Sequence, residues 1–415
     1  MRINKRHSFI HSLLVILILI MAGCLGQETN EGTENNVIRI GFMGPLTGKA
    51  AQLGWHMSQG GQLAVDEVNA AGGMTIGNTK YTVQLISADS EYRVDTGATV
   101  IERLIIEDNV DAIVGGLHSS ACLAAMEIAQ ELRTPFVITG AISSKIGDRI
   151  ATQNMTHLFQ LSPTVEDRAR IDVEAILTLM DPAPTKIALV AENSDAGRDI
   201  SQAFIESYSD KVDLEEITID YVDPMQTDFT AEIAKISGLG IDLLWLMLIG
   251  TPFYSFADQW SEGGDPNAVV FADGGDATSN AFLQAERTKV LWWLVDQVWI
   301  TTVNASSRTY PFVQAYSEKY GDLPLYYSAQ QYDGISIVLE AMKLAGNPHD
   351  KDAVASALEI VKTTGVKGPN NFRPIEEGHT MPNYLVVTQI QLHEEKLRHT
   401  VVFPLRDAEA HFIFP

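Results

Sequence analysis

The sequence predicts an α/β protein built as two doubly wound, Rossmann-like lobes. Short apolar runs that stop at glycine or an acidic residue alternate with amphipathic helical stretches, in two successive series. About 380 residues follow position 36, more than the roughly 250–300 that one hydrophobic core usually serves, so two lobes are expected. No short-period repeat or low-complexity tract interrupts the pattern.

The chain starts with Arg2, Lys5 and Arg6, followed by an apolar run from Leu13 to Ala22. A spanning helix needs about 20 apolar residues, so this run reads as the apolar region of a signal peptide, residues 1–23. Met21-Ala22-Gly23-Cys24 resembles a lipobox, which makes Cys24 the expected lipidated first residue of the mature chain; the alternative is plain cleavage after a small residue. Residues 25–36, LGQETNEGTENN, are polar and aperiodic, as a tether should be.

The first series opens with the strand VIRIGFMGP, then a helix carrying Gly61, Ala64, Val65 and Val68 on one face and stopping at Gly72-Gly73. YTVQLISAD is the next strand, TGATVIERLIIEDN the next helix, then VDAIVGG and a helix whose Ala121, Ala125, Ile128 and Leu132 share a face. TPFVITG is the fourth strand. The second series runs through KIALVAE, ITIDYV, DLLWLMLI and AVVFAD, and NYLVVTQIQLHEEKLRHTVVFP reads as a C-terminal hairpin. Alternation at this spacing implies parallel sheets with right-handed crossovers.

Composition excludes several classes. Lys+Arg number 29 against 53 Asp+Glu, a formal charge of −24, so a nucleic-acid partner is disfavoured. There are 2 cysteines, Cys24 and Cys122, so the exported part can hold no internal disulfide. The ten histidines form no H-E-x-x-H or Cys/His cluster, so neither zinc nor another metal is expected, and no cofactor is.

In doubly wound sheets ligands bind beyond the carboxyl ends of the strands. This selects the loops Gly44–Gly54, Asp89–Arg93, Gly115–Ser120, Thr139–Lys145, Glu192–Gly197, Gly250–Tyr254 and Asp273–Ser279. The stretch AIVGGLHSSACLAA carries Gly115, Gly116, His118, Ser119 and Ser120 from a strand into a helix. It lacks the G-x-S-x-G elbow and the phosphate-loop spacings, which argues against a hydrolase or a nucleotide cradle. Hydroxyls and backbone N–H groups at a helix start suit a carboxylate. The bland alternative is that Ser119 only caps its helix.

Four segments in order then carry a resemblance: IRIGFMGPLTGKAAQLGWHMSQGGQLAVDEVNAAGG, AIVGGLHSSACLAAMEIAQELRTPFVITGAISS, DPMQTDFTAEIAKI and SAQQYDGISIVLEAMKLAG. Together they are similar to the substrate-binding lipoproteins of ABC importers of the leucine/isoleucine/valine-binding type, the type I periplasmic binding proteins. The resemblance covers nearly all of the mature chain. It implies that Ser119, with Ser120, Ala141 and Ser143 beside it, holds a ligand carboxylate, and that Asp273, or alternatively Asp276, takes an ammonium. Trp55, Tyr92, Phe253 and Tyr254 are expected on loops at the cleft edge. Leu53 and Ala196 stand where the family often has aromatics, so the side-chain pocket differs while the backbone site is kept.

The expected protein is therefore a binding protein and not an enzyme. It is extracytoplasmic, anchored to the outer face of the cell membrane by lipid, and monomeric. It would capture a small amino acid or amino-acid-like ligand for ABC permease subunits. A ligand-sensing domain for a signalling partner and a secreted hydrolase remain as alternatives. The hinge is expected to have three segments, near Leu161–Pro163, Ile300–Val303 and Phe372–Met381. Lobe 1 would then combine 37–160 with 302–375, and lobe 2 would combine 163–299 with 381–415.

Overall fold

A computed structural model describes residues 36–279, 282–284, 287–382 and 385–414. The leader, Cys24 and the tether lie outside these residues. Among the described residues no helix is long and apolar enough to cross a membrane.

The first series alternates as β1 (Val37–Gly44), α1 (Ala51–Ala70), β2 (Met74–Ile76), β3 (Thr79–Asp89), α2 (Val94–Ile106), β4 (Ala112–Gly115), α3 (Ser119–Glu131), β5 (Phe136–Ile138), α4 (Ser144–Gln153) and β6 (Leu158–Gln160). Its strands form one six-stranded sheet in the order β2-β3-β1-β4-β5-β6. From β1 through β4 and β5 to β6 the pairing is parallel.

The second series runs α5 (Val165–Leu179), β7 (Lys186–Glu192), α6 (Asp195–Ser209), β8 (Glu216–Val222), α7 (Thr230–Leu239), β9 (Leu243–Met247), α8 (Thr251–Gly263), β10 (Val269–Ala272) and β11 (Leu294–Gln297). Three helices follow, α9 (Thr309–Tyr320), α10 (Tyr326–Ala345) and α11 (Lys351–Leu358), then the small pair β12 (Thr363–Gly365) and β13 (Gly368–Asn370) and the hairpin β14 (Val386–His393) and β15 (Lys396–Phe403). The second sheet has seven strands, β15-β14-β11-β10-β9-β7-β8. The hairpin adds to it antiparallel at β11, as the sequence suggests, while α10 returns to pack on α1 beside the first sheet.

Both sheets bury both faces, and the side-chain period of two shows why. In the first, Val114, Val137 and Phe159 pack to one side, and Ile113, Phe136, Ile138 and Leu158 pack to the other. In the second, Leu243, Trp245 and Met247 face one layer, and Leu244 and Leu246 face the opposite one. The result is the two-lobed, doubly wound α/β architecture, with the carboxyl ends of β1, β4 and β5 brought opposite those of β7, β9 and β10.

Candidate functional site

Where the two sets of strand ends meet, side chains from each sheet pair across the gap. Lys49, in the loop after β1, ion-pairs with Glu192 at the end of β7; the side chains are only 4% and 1% exposed. The same ammonium donates to the Pro224 carbonyl at 2.8 Å and lies 4.5 Å from the centre of the Tyr92 ring. Burial lowers the Lys49 pKa, and the Glu192 carboxylate opposes that shift.

Tyr92 has φ of 58° and is half-buried, and its ring stacks on His118 at 4.3 Å. Burial, with Lys49 nearby, pushes the His118 pKa down to about 4, so the imidazole is neutral near pH 7. The Tyr92 hydroxyl is held far above its ordinary pKa by burial and by Glu192 and Asp276.

A second set of pairs flanks the first. Ser120 Oγ donates to Asp195 Oδ2 at 2.7 Å, and Lys145 ion-pairs with Asp195 and reaches Asp199 at 3.7 Å. Ser143 Oγ donates to Asp199. On the far side Tyr254 donates to Gln52 Oε1 at 3.2 Å. Gly250 (φ 72°) lies so close to the Lys49 carbonyl that a Cβ there would overlap it. Glycine is required at this approach.

Asp276, in the loop after β10, is buried, and its Oδ2 accepts the Gly250 N–H at 2.6 Å. Burial raises its pKa to about 6, with the Gly250 N–H and Lys49 pulling the other way.

Several expected roles need correction. Asp273 does not stand alone: Arg168 of α5 pairs with its Oδ1 and with Asp296 of β11 at 2.7 Å, while the buried Asp273 Oδ2 has no hydrogen-bond partner among the described residues. Burial raises the Asp273 pKa, and Arg168 opposes it. Asp172, Asp273 and Asp296 offer carboxylate oxygens within 4.8 Å of one another, but the guanidinium already supplies the cation there. The Ala141 N–H donates to the Gly116 carbonyl at 2.9 Å, and the Ala141 carbonyl accepts from the side chains of Gln160 (Nε2, 3.1 Å) and Ser162 (Oγ), so both groups are engaged at the end of β5. Phe253 is 1% exposed and packs against Phe282 and Trp293, because the first turn of α8 directs it into the apolar layer behind β9 and β10. Trp55, on α1, leaves 52% of its surface exposed.

Ser119 is buried, and its Oγ accepts the N–H groups of Ile142 (3.2 Å) and Ser143 (3.3 Å), tying the loop after β4 to the loop after β5. No hydrogen bond joins Ser119 to His118 among the described residues, so the pair has no nucleophile–base geometry. Of the expected residues, the structure brings Ser120, Ser143, Tyr92, Tyr254 and Asp276 to the cleft. Lys49, Glu192, Asp195, Asp199 and Lys145 were not singled out, although four of the five lie in loops that the strand-end rule selects.

The architecture and the two-sided cleft define a class: a two-lobed binding protein. Residues 37–396 match the model of the family described as "Periplasmic binding protein", and the chain belongs to that family. It is similar to Leu/Ile/Val-binding protein homolog 7 of Brucella abortus, 27% identical over 362 residues that cover 83% of this chain and 86% of the relative. Among solved structures it resembles Streptococcus pneumoniae LivJ, a branched-chain amino acid transporter substrate binding protein in complex with isoleucine (TM-score 0.74, 24% identity, 88% of this chain and 99% of that one). It also resembles the leucine binding protein LivK of Thermotoga maritima (TM-score 0.76, 19% identity, 89% and 99%). A solute binding protein from R. palustris in complex with benzoate is a further structural neighbour (TM-score 0.76, 17% identity, 88% and 95%). The chain is thus a solute-binding protein and not an enzyme, and its family implies an extracytoplasmic location.

Proposed function

We propose that this protein captures a free α-amino acid of the leucine class between its lobes and delivers it to the permease of an ABC importer. The observation that carries the reading is the polarity of the cleft. Its first side offers donors and cations, Lys49, Ser120, Ser143 and Lys145. Its second side offers acids, Glu192, Asp195, Asp199 and Asp276. A zwitterion has the complementary ends: a carboxylate for the donors and an ammonium for the acids. Asp276 then replaces Asp273 as the ammonium acceptor, and Ser119 acts by holding the loops that present Ser120 and Ser143. The named relatives, Leu/Ile/Val-binding protein homologues, support the same ligand class.

The rest of the proposal concerns location and movement. Cys24 carries the lipid that holds a monomer at the outer face of the membrane. Lobe 1 comprises 37–160 and 302–375, lobe 2 comprises 163–299 and 381–415, and the connections between them form the hinge, the kind of closure for which periplasmic binding proteins are a standard example.

An aromatic acid is the second reading, favoured by the benzoate-bound neighbour. It leaves Glu192 and Asp276 without a cationic partner on the ligand. Mass spectrometry of the copurifying small molecule, followed by a thermal-shift screen of amino acids and aromatic acids, tests the choice. Leucine, isoleucine or valine should raise the melting temperature; a shift with benzoate and none with any amino acid would overturn the proposal.

A further inference from the structure

A cavity of about 220 Å³ lies between the Ile300–Thr302 connection and Thr278, in the loop after β10. Leu283, Trp299, Ile300 and Leu325 line it, with Gln297 inside and Arg398 of β15 at the edge. Its walls come from both halves of the molecule: β11 and β15 belong to the second sheet, and Leu325 immediately precedes α10, which packs on α1.

Some of the polar groups that line it are engaged, while the Nε2 of buried His399, also in the lining, has no hydrogen-bond partner among the described residues. Gln297 Nε2 donates to Thr388 Oγ1 at 2.9 Å, the Trp299 indole donates to the Val303 carbonyl at 3.2 Å, and the Thr278 hydroxyl donates to the Gly275 carbonyl at 2.8 Å. Arg398 is different: it is exposed and makes no ion pair among the described residues. No acidic residue is among the described residues that line the cavity.

We infer that this cavity is a second ligand site, for a small apolar monocarboxylate. An apolar body fits walls of tryptophan, isoleucine and leucine, and a carboxylate fits a free guanidinium, the geometry of the strongest charge-assisted hydrogen bonds. On a chain of net charge −24 an arginine beside this cavity, with no acid among the described residues of its lining, is a local anion-selective point. An amino acid is excluded by the same chemistry, because its ammonium would enter with no acceptor charge. The site therefore selects the opposite way from the cleft, and it stands whether or not the amino-acid reading of the cleft holds.

Calorimetry with cyclohexanecarboxylate tests the assignment, on the wild type and on Arg398→Gln and Leu283→Trp. Wild type should bind, Arg398→Gln should bind roughly tenfold more weakly, since one charge-assisted contact is lost, and Leu283→Trp should not bind because the indole fills the cavity. Arg398→Gln alters an exposed side chain, so it keeps the test decisive if Leu283→Trp folds poorly. No binding by wild type at millimolar ligand, or wild-type affinity in Arg398→Gln, would overturn it.

Discussion

Asp273 and Asp276 lie three residues apart after β10, and substituting each with asparagine separates a ligand acid from a structural one. Asp276→Asn removes the charge while leaving an oxygen to accept the Gly250 N–H, now 2.6 Å from Oδ2. A hydrogen bond to a charged group contributes about 1.5–3 kcal/mol, so leucine affinity should fall roughly ten- to a hundredfold. Asp273→Asn instead removes one of two carboxylates from Arg168, which keeps Asp296 at 2.7 Å. Its cost should appear as a lower melting temperature with leucine affinity unchanged.

The pH dependence gives a second readout from the same variants. Burial raises the Asp276 pKa from the ordinary 3.8 to about 6. Above that value the carboxylate is ionised and can hold an ammonium, so leucine affinity should be flat near neutrality and decline as pH falls through about 6. In stability the sign is opposite. A raised folded-state pKa contributes stabilisation that is fully present below the unfolded value and lost as pH rises through about 6. Isothermal calorimetry at a series of pH values measures the first effect and melting temperatures without ligand the second. Loss of leucine affinity in Asp273→Asn but not in Asp276→Asn would refute the reasoning, as would a wild-type affinity that does not change between neutral and mildly acidic pH.

Three further outcomes follow from the geometry. Gly250→Ala places a methyl group against the Lys49 carbonyl at a φ of 72°, so the two loops cannot approach; leucine binding should be lost and small-angle scattering should show a larger particle in leucine. Ser119→Ala leaves the N–H groups of Ile142 and Ser143 without their acceptor, and urea unfolding should show a loss of about 1–3 kcal/mol; unchanged stability would remove Ser119 from its tying role. Cys24→Ser should move the protein from the membrane fraction to the soluble one, and a wild type already soluble would end the lipidation proposal.

The fold was legible where its signal is long or periodic. Val37–Gly44 and Lys186–Glu192 are apolar runs of strand length bounded by turn residues, and both form strands. The strands β6 and β11 were not singled out, because Leu158–Gln160 and Leu294–Gln297 are too short to display a period and end in polar residues. Site residues were legible as loops and less so as roles. The rule that ligands sit beyond strand ends led to the loops holding Lys49, Tyr92, Ser120, Asp195 and Asp276. It could not tell Asp276 from Asp273, since the neutralising Arg168 lies 105 residues away in sequence. Phe253 misleads for a related reason: a loop position fixes where a backbone goes, while the helix phase decides whether its ring faces ligand, core or water.

The charges in the cleft also rank the two ligand classes. Lys49, Glu192 and Asp276 are buried together, one cation beside two carboxyl groups, and burial raises the Asp276 pKa to about 6. A zwitterionic amino acid adds no net charge to this set and lets each end face its opposite. Benzoate adds a negative charge beside these acids, where Lys49 is already paired with Glu192. At 4 Å and an effective dielectric constant of about 20, each like-charge contact costs about 4 kcal/mol before screening, enough to decide the selection. Leucine should therefore resist displacement by benzoate at neutral pH. Below about pH 6, where Asp276 takes up a proton, leucine loses an attraction and benzoate loses a repulsion, so the gap between them should narrow. A competition titration at two pH values measures both statements. Displacement of leucine by equimolar benzoate at neutral pH would show that the acids of the second sheet do not face the ligand.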